Sequence, residues 1–194
     1  MASKTEEVDI DIAISVEVAQ RREIVPGRVT ELTMVRPDRL ALPAWEPGAH
    51  VDLVLLCGRP GGDAYRIAVL KEDVSRGGSI EIHETIHVGD RLMIRGPRNH
   101  FPLVQASRTT FIAGGIGITP ILPMIRDRVT VGADWALHYG GRSRSHLAYL
   151  DELAEWDGVT IYPQDEVGLL PLDDILANAS GGVVYACGPE PLLA

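Results

Sequence analysis

The chain has 194 residues, enough for one large or two small domains with a substantial core. Its 45% hydrophobic and 23% charged content is that of a globular protein, and the net charge of −9 argues against nucleic acid or an anionic membrane surface as the main partner. Two cysteines, Cys57 and Cys187, are too few for an iron–sulfur cluster or a disulfide framework. No apolar run reaches membrane-spanning length and the acidic start MASKTEEVDIDI is unlike a signal peptide, so a cytoplasmic protein is expected.

Residues 8–18 (VDIDIAISVEV) alternate almost strictly between apolar and polar, which predicts a half-buried antiparallel strand. Gly27 marks a turn before a second strand over 29–35. Pro37, Pro43, Pro47 and Gly48 break the chain ahead of a strand over 50–56, and a hairpin-like return over 64–70 (AYRIAVL) follows the glycines at 58, 61 and 62. Residues 79–86 have room for a short helix, stopped near Gly89, and 91–95 give one more strand. Closely spaced strands joined by Gly/Pro turns predict a small antiparallel barrel over about the first 105 residues.

The pattern changes after Pro102. Strands over 109–113, 135–139, 159–162 and 183–186 alternate with helices over 119–128, 145–153 and 172–177. Such alternation predicts a parallel sheet covered by helices, with the boundary near 103–107. In sheets of this kind ligands sit outside the carboxyl ends of the strands. Three of those ends carry turn chemistry here: Gly114, Gly115 and Gly117 after the first strand, Gly140, Gly141, Arg142 and Ser143 following Tyr139 after the second, and Gly188, Pro189 and Glu190 following Cys187 after the last.

The first of these turns is the most informative. Thr109 to Ala113 read as a buried strand, the glycines remove side chains where the backbone must turn tightly, and Ile118, Ile121, Leu122 and Ile125 have helical spacing. A strand, a glycine turn and a helix start expose amide N–H groups to a pyrophosphate. The third glycine of the common dinucleotide fingerprint is missing, because Pro120 stands in its place.

Taken together, Gly48-Ala49-His50, Arg76 to Ser79, Gly96 to Asn99, Ala113 to Pro120, Tyr139 to Ser143 and Cys187 to Glu190 resemble the ferredoxin–NADP reductase superfamily. The nearest branch is its FMN-containing reductases of Rieske-type oxygenases, of the phthalate dioxygenase reductase and vanillate demethylase reductase type. The resemblance implies a Greek-key flavin-binding barrel over 1–105 and a parallel-sheet, nicotinamide-binding α/β domain over 106–194. It further implies that NADH reduces FMN, and that electrons then pass through a [2Fe–2S] ferredoxin domain to an oxygenase.

Residue by residue, Arg76, Gly77, Gly78 and Ser79 match the family's FMN phosphate loop, where amides, a hydroxyl and a guanidinium suit a dianionic phosphate. Ile67, Ala68 and Val69 match the strand whose backbone meets the flavin ring. Thr119 matches a hydroxyl near flavin or nicotinamide, although an N-terminal helix cap accounts for it equally well. Arg142 and Ser143 match the adenosine ribose and phosphate region; Arg at that strand end also accepts a 2′-phosphate, so NADPH stays open beside NADH. Cys187 matches the cysteine near the reacting end of the nicotinamide, with a buried structural cysteine as the alternative. Thr119 and Cys187 are thus the catalytic candidates that the resemblance implies.

Two departures accompany the matches. Relatives carry Arg-x-Tyr-Ser/Thr, whose tyrosine packs on the flavin ring, between the strand after Gly-Ala-His and the following Cys-Gly. Here residues 51–55 run directly into Leu56-Cys57, and Tyr65 is no substitute because it begins the next strand. The chain also stops where the last helix is expected to begin, so the remaining strand of the nicotinamide domain and the ferredoxin domain are expected beyond Ala194. An alternative reading follows from the first departure: a nucleotide-binding, non-redox subunit with a decayed flavin site. The run His83-Glu84-Thr85-Ile86-His87 has the H-E-x-x-H spacing of a zinc protease helix, but Gly89 ends the helix and no third ligand follows at a useful spacing, so no metal site is expected.

Overall fold

The computed structural model describes residues 13–52, 54, 55 and 63–193. Its first half is antiparallel. Strands β1 (Ala13–Val25) and β2 (Val29–Val35) form a hairpin through the turn at Gly27. Further along the chain come β3 (Ala49–Val51), β4 (Val54–Leu55), β5 (Ala64–Leu70), helix α1 (Gly78–Glu84), β6 (Arg91–Arg95) and β7 (Arg98–Asn99). One sheet has the order β5-β2-β1-β6 and a second has β4-β3-β7. The Asp52 amide donates to the Arg95 carbonyl at 2.9 Å, joining the two sheets.

Alternation along the strands fills the space between these sheets. Val16, Val18, Leu32, Met34, Val51, Tyr65, Ile67 and Ile94 are buried there, and Leu42 and Trp45 from the Pro-rich connection pack on them. Tyr65 belongs to this core, with its hydroxyl donating to the Pro43 carbonyl at 2.6 Å. Burial pushes its pKa up to about 12.

Two expectations change here. β1 runs on to Val25, past the last alternating apolar residue, because its polar second half still pairs with β2 across a register shift. The strand expected over 50–56 is instead a hairpin of two short strands, β3 and β4, with His50 opposite Leu55. The stretch 8–12, Leu56 and Cys57 lie outside the described residues.

The second half is built on a parallel sheet of β8 (Arg108–Gly114), β9 (Asp134–Gly141), β10 (Val159–Pro163) and β11 (Val183–Cys187). Their order is β10-β9-β8-β11, so the winding reverses between β8 and β11. Helix α2 (Ile118–Thr130) packs against the sheet through Ile118, Ile121, Leu122 and Ile125, all fully buried. Helices α3 (Leu150–Leu153), α4 (Gln164–Val167), α5 (Leu172–Asn178) and α6 (Glu190–Leu193) complete the connections. The helix expected over 145–153 is broken: a 3-10 turn, Arg144–His146, precedes an extended Leu147, and Tyr149 is left-handed with φ 62° before α3 starts.

A single apolar cluster spans the two halves. Val25, Val29 and Ala68 of the antiparallel sheet are buried together with Ile118, Ile121 and Tyr149. Since Ile67 faces the first core and Ala68 this shared one, β5 is packed on both sides.

Candidate nucleotide site

Strand β8 ends in extended backbone at Gly114, turns through a 3-10 segment, Gly115–Gly117, and enters α2 at Ile118. The three glycines have different tasks. A Cβ on Gly117 would lie 2.2 Å from the Cys187 carbonyl oxygen and 2.8 Å from the Gly188 nitrogen, so this position lets the ends of β8 and β11 touch. Gly114 faces Pro189 and Leu192 in the same way, at 2.8 Å each. Gly115 has φ +53° and nothing within 4 Å of its missing Cβ, so its backbone is bare to open space.

That space is a cavity of about 750 Å³ at the point where the sheet's winding reverses. Gly114, Gly115, Gly117 and Thr119 line it from the first turn, Gly140, Gly141 and Arg142 from the second, and Cys187, Gly188 and Pro189 from the third. Arg28, Val29, Leu70 and Glu72 close it from the antiparallel half. The cleft therefore lies between the carboxyl edge of the parallel sheet and strands β2 and β5.

Thr119 is not the helix cap; Gly117 holds that place, and the Thr119 hydroxyl donates to the Ile116 carbonyl at 2.9 Å. Cys187 is half-buried, and burial pushes its thiol up, which keeps it a neutral thiol beside the cavity. Arg144, next along from Ser143, is engaged twice by the Glu166 carboxylate, at 3.2 and 3.0 Å, and this contact raises its pKa. The Arg142 side chain makes no comparable contact among the described residues.

Other expected site residues lie off the cavity. Pro120 is buried in the first turn of α2, and Glu190 begins α6 exposed. Ser143 bonds Ser145 at 2.9 Å and the His146 ring at 2.5 Å. Tyr139 is fully buried; its hydroxyl donates to the Gly115 carbonyl and accepts from the Ala148 amide, both at 3.0 Å. Ile67, Ala68 and Val69 are buried in β5, immediately before the lining residue Leu70. Arg76, Gly77, Gly78 and Ser79 stand beyond Glu72, whose amide donates to the Ser79 hydroxyl at 3.4 Å, so the loop adjoins the cavity wall. No atom comes within 4 Å of a Cβ built on Gly77 or Gly78, and Arg76 is exposed. The Gly77 amide donates to the Ser75 hydroxyl at 3.0 Å, which also accepts from the Ser79 hydroxyl at 2.9 Å.

Residues 111–194 match the family described as the oxidoreductase NAD-binding domain. The chain is 38% identical to the heme-dependent oxidative N-demethylase beta subunit of Ectopseudomonas mendocina (strain ymp), over 93% of this chain and 62% of that one. It is 37% identical to the vanillate O-demethylase oxidoreductase of Pseudomonas sp. (strain HR199), over 86% of this chain and 58% of the relative. Among solved structures it superposes on phthalate dioxygenase reductase, described as a modular structure for electron transfer from pyridine nucleotides to [2Fe–2S]. There the TM-score is 0.86 and the identity 29%, covering 93% of this chain and 62% of the other.

Residues 111–194 are thus an oxidoreductase NAD-binding domain, and the chain has the ferredoxin-reductase-like fold of its solved relative. It spans less than two thirds of the length of these relatives. A dinucleotide fits the cavity on the chain's own geometry: bare backbone at Gly115, amides at a helix start, and an apolar cleft of the right size.

Sequence patterns missed part of the lining. Arg28 and Glu72 come from the antiparallel half, and Leu170 lies over Gly140, where a Cβ would sit 2.3 Å from its Cδ1. Only the Gly168–Pro171 punctuation around two leucines hinted at this loop. The zinc spacing, by contrast, is absorbed by the fold. α1 ends at Glu84, so His87 lies beyond it, and both His83 ring nitrogens are occupied, by Thr30 Oγ1 at 3.3 Å and the Val69 carbonyl at 2.9 Å. Among the described residues there is no cluster of three or more metal-binding side chains, and no helix long and apolar enough to cross a membrane.

Proposed function

We propose that this chain is the flavin- and nicotinamide-binding part of an NADH-dependent reductase that supplies electrons to an oxygenase. The observation that carries the reading is the convergence of three glycine-bearing turns on one cleft, at the point where the sheet's winding reverses between β8 and β11. In this reading residues 1–105 hold FMN and residues 106–194 hold NADH. Flavin, when bound, takes two electrons from the nicotinamide and releases them one at a time.

The chain's own residues have distinct tasks. The turn amides ahead of Ile118, whose own N–H is taken by the Gly115 and Ile116 carbonyls, face the pyrophosphate, because the first N–H groups of a helical turn lack partners within it. Arg142 binds the adenosine end. Thr119 retains hydroxyl lone pairs toward the reacting rings, and the neutral Cys187 thiol fills space beside the nicotinamide without adding charge. Arg76 and Ser79, with Gly77 and Gly78 between them, hold the FMN phosphate, and the backbone of Ile67, Ala68 and Val69 lies along the ring. The partner in this reading is a Rieske-type oxygenase, reached through a [2Fe–2S] ferredoxin domain.

The test is to supply the purified chain with FMN and NADH anaerobically and follow the oxidised-flavin absorbance. Its loss supports the reading. Tight NADH binding with no flavin binding supports instead the non-redox subunit, which the missing Arg-x-Tyr-Ser/Thr motif favours. Parallel titration with NADPH decides whether the unengaged Arg142 accepts a 2′-phosphate. Release of flavin by heat from the protein as isolated, followed by chromatography, is expected to give FMN; FAD as the main species would overturn that assignment.

A further inference from the structure

Tyr149 is a bulky residue held in the left-handed region (φ 62°, ψ 22°), where side chains crowd the backbone, and it is only 8% exposed. Nothing in the local sequence demands this. What it achieves is contact with the other half of the protein. The Tyr149 hydroxyl donates to Oε2 of Glu31 at 2.9 Å, a buried bond linking residues 118 positions apart. Glu31 is itself only 5% exposed in the middle of β2, and its Oε1 accepts from Arg22 at 3.1 Å.

Both ends of this contact lead to the candidate site. Glu31 stands directly opposite Ala68 in the β2–β5 ladder, the central residue of the strand assigned to the flavin ring. On the other side, the neighbouring Ala148 amide donates to the Tyr139 hydroxyl, which donates in turn to the Gly115 carbonyl, each at 3.0 Å. A path of buried hydrogen bonds and two short backbone links thus runs from the nucleotide turn to the flavin strand. The left-handed turn at Tyr149 makes this possible, since Ala148 bonds into the parallel half while the next residue reaches into the antiparallel one.

We propose that Tyr149 and Glu31 are positioning residues that set the nicotinamide turn against the flavin strand. The inference rests on the functional reading above. Neither residue touches the reacting groups; each acts through the elements it holds. Two cofactors bound by separate halves react only when those halves keep register, and a displacement of about 1 Å can cost on the order of 10²-fold in rate.

The variants are Tyr149→Phe, which removes the donor and keeps the ring, and Glu31→Gln, which keeps an acceptor and removes the charge. Both are made in the whole chain and read in three ways: amide hydrogen exchange without cofactor, NADH affinity, and the rate of reduction of saturating FMN by NADH. In Tyr149→Phe, exchange is expected to rise together at 147–150 and along β2 and β5. The reduction rate is expected to fall about tenfold or more while the NADH dissociation constant stays within about twofold. Glu31→Gln should show the same pattern more weakly, and it carries the test if Tyr149→Phe does not fold. Faster exchange around residue 149 alone, with an unchanged reduction rate, would make the contact mere packing and overturn the proposal. A parent chain that does not reduce FMN sinks the functional reading instead, and joint or separate exchange of the two elements still decides the role of the contact.

Discussion

Gly115 and Gly117 stand two positions apart in one turn, yet a side chain at each meets opposite surroundings. At Gly117 the clash is with backbone, the Cys187 carbonyl at 2.2 Å, which no rotamer change relieves. Gly117→Ala is therefore expected to destabilise the fold by on the order of 3 kcal/mol, measured by denaturant unfolding. At Gly115 there is room, but the positive φ disfavours any β-branched residue and the added methyls project into the cleft. Gly115→Val should weaken NADH binding by about tenfold, or about 1.4 kcal/mol, and leave flavin binding nearly unchanged. Equal NADH affinity in variant and parent would reduce the turn to packing. Cys187 extends the argument to the chemical step. Because burial keeps its thiol neutral, its contribution is shape, and Cys187→Ala should slow flavin reduction by about tenfold with little change in nucleotide affinity. An unchanged rate with a lower melting temperature would make Cys187 a core residue only.

Helix α1 is seven residues long, too short to be stable on its own propensity, so its place depends on tertiary contacts. His83 supplies two of them. The Val69 carbonyl only accepts, so Nε2 carries a proton, while Nδ1 shares a hydrogen bond with the Thr30 hydroxyl. Arg21 adds a third tie, donating to the His83 carbonyl at 2.7 Å. His83→Phe strands the fully buried Thr30 hydroxyl and is expected to cost about 1–3 kcal/mol. It should also raise amide exchange in α1 and weaken FMN binding more than NADH binding; equal loss of both would mean that the helix does not serve the phosphate loop separately. Strand β6 falls where alternation places it, with Ile94 buried between exposed neighbours, whereas β2 and β5 are buried on both faces and are legible as short apolar, β-branched runs. The segment 144–153 defeats the same reasoning. Its apolar residues have helical spacing, but the Tyr139 hydroxyl takes the Ala148 amide and Glu31 takes Tyr149, and these distant partners override local preference. The glycine turns were legible because only glycine tolerates such close approach. Arg28 and Glu72 were not, because nothing local marks a strand end that faces another sheet.

Across the whole molecule, acid acts in two opposing ways. The net charge of −9 is relieved as the pH falls toward the isoelectric point of about 5.1, which eases self-repulsion. Against this, burial lowers the pKa of His138, whose Nδ1 lies 3.1 Å from the Tyr162 hydroxyl in the next strand. His50 is lowered chiefly by burial and further by His100 and Arg98, with Asp52 opposing. A histidine whose folded pKa lies below its unfolded value binds fewer protons in the native state. Its stabilising effect is complete above the unfolded pKa of about 6.5 and is lost as the pH falls through the folded one. Thermal midpoints measured between about pH 7.5 and about pH 5.5, above the carboxylate range, are therefore expected to decline in the parent at high salt, where the net-charge effect is screened. His138→Gln should give a flatter profile over the same interval, since glutamine keeps a polar group beside Tyr162 and does not titrate. The comparison separates the two effects, because the substitution leaves the charge near neutrality unchanged. Parallel profiles for His138→Gln and the parent would show that protonation of this ring is not resisted by the fold, and would shift the acid sensitivity to the His50–His100 pair of the antiparallel half, whose ring centroids are 5.2 Å apart.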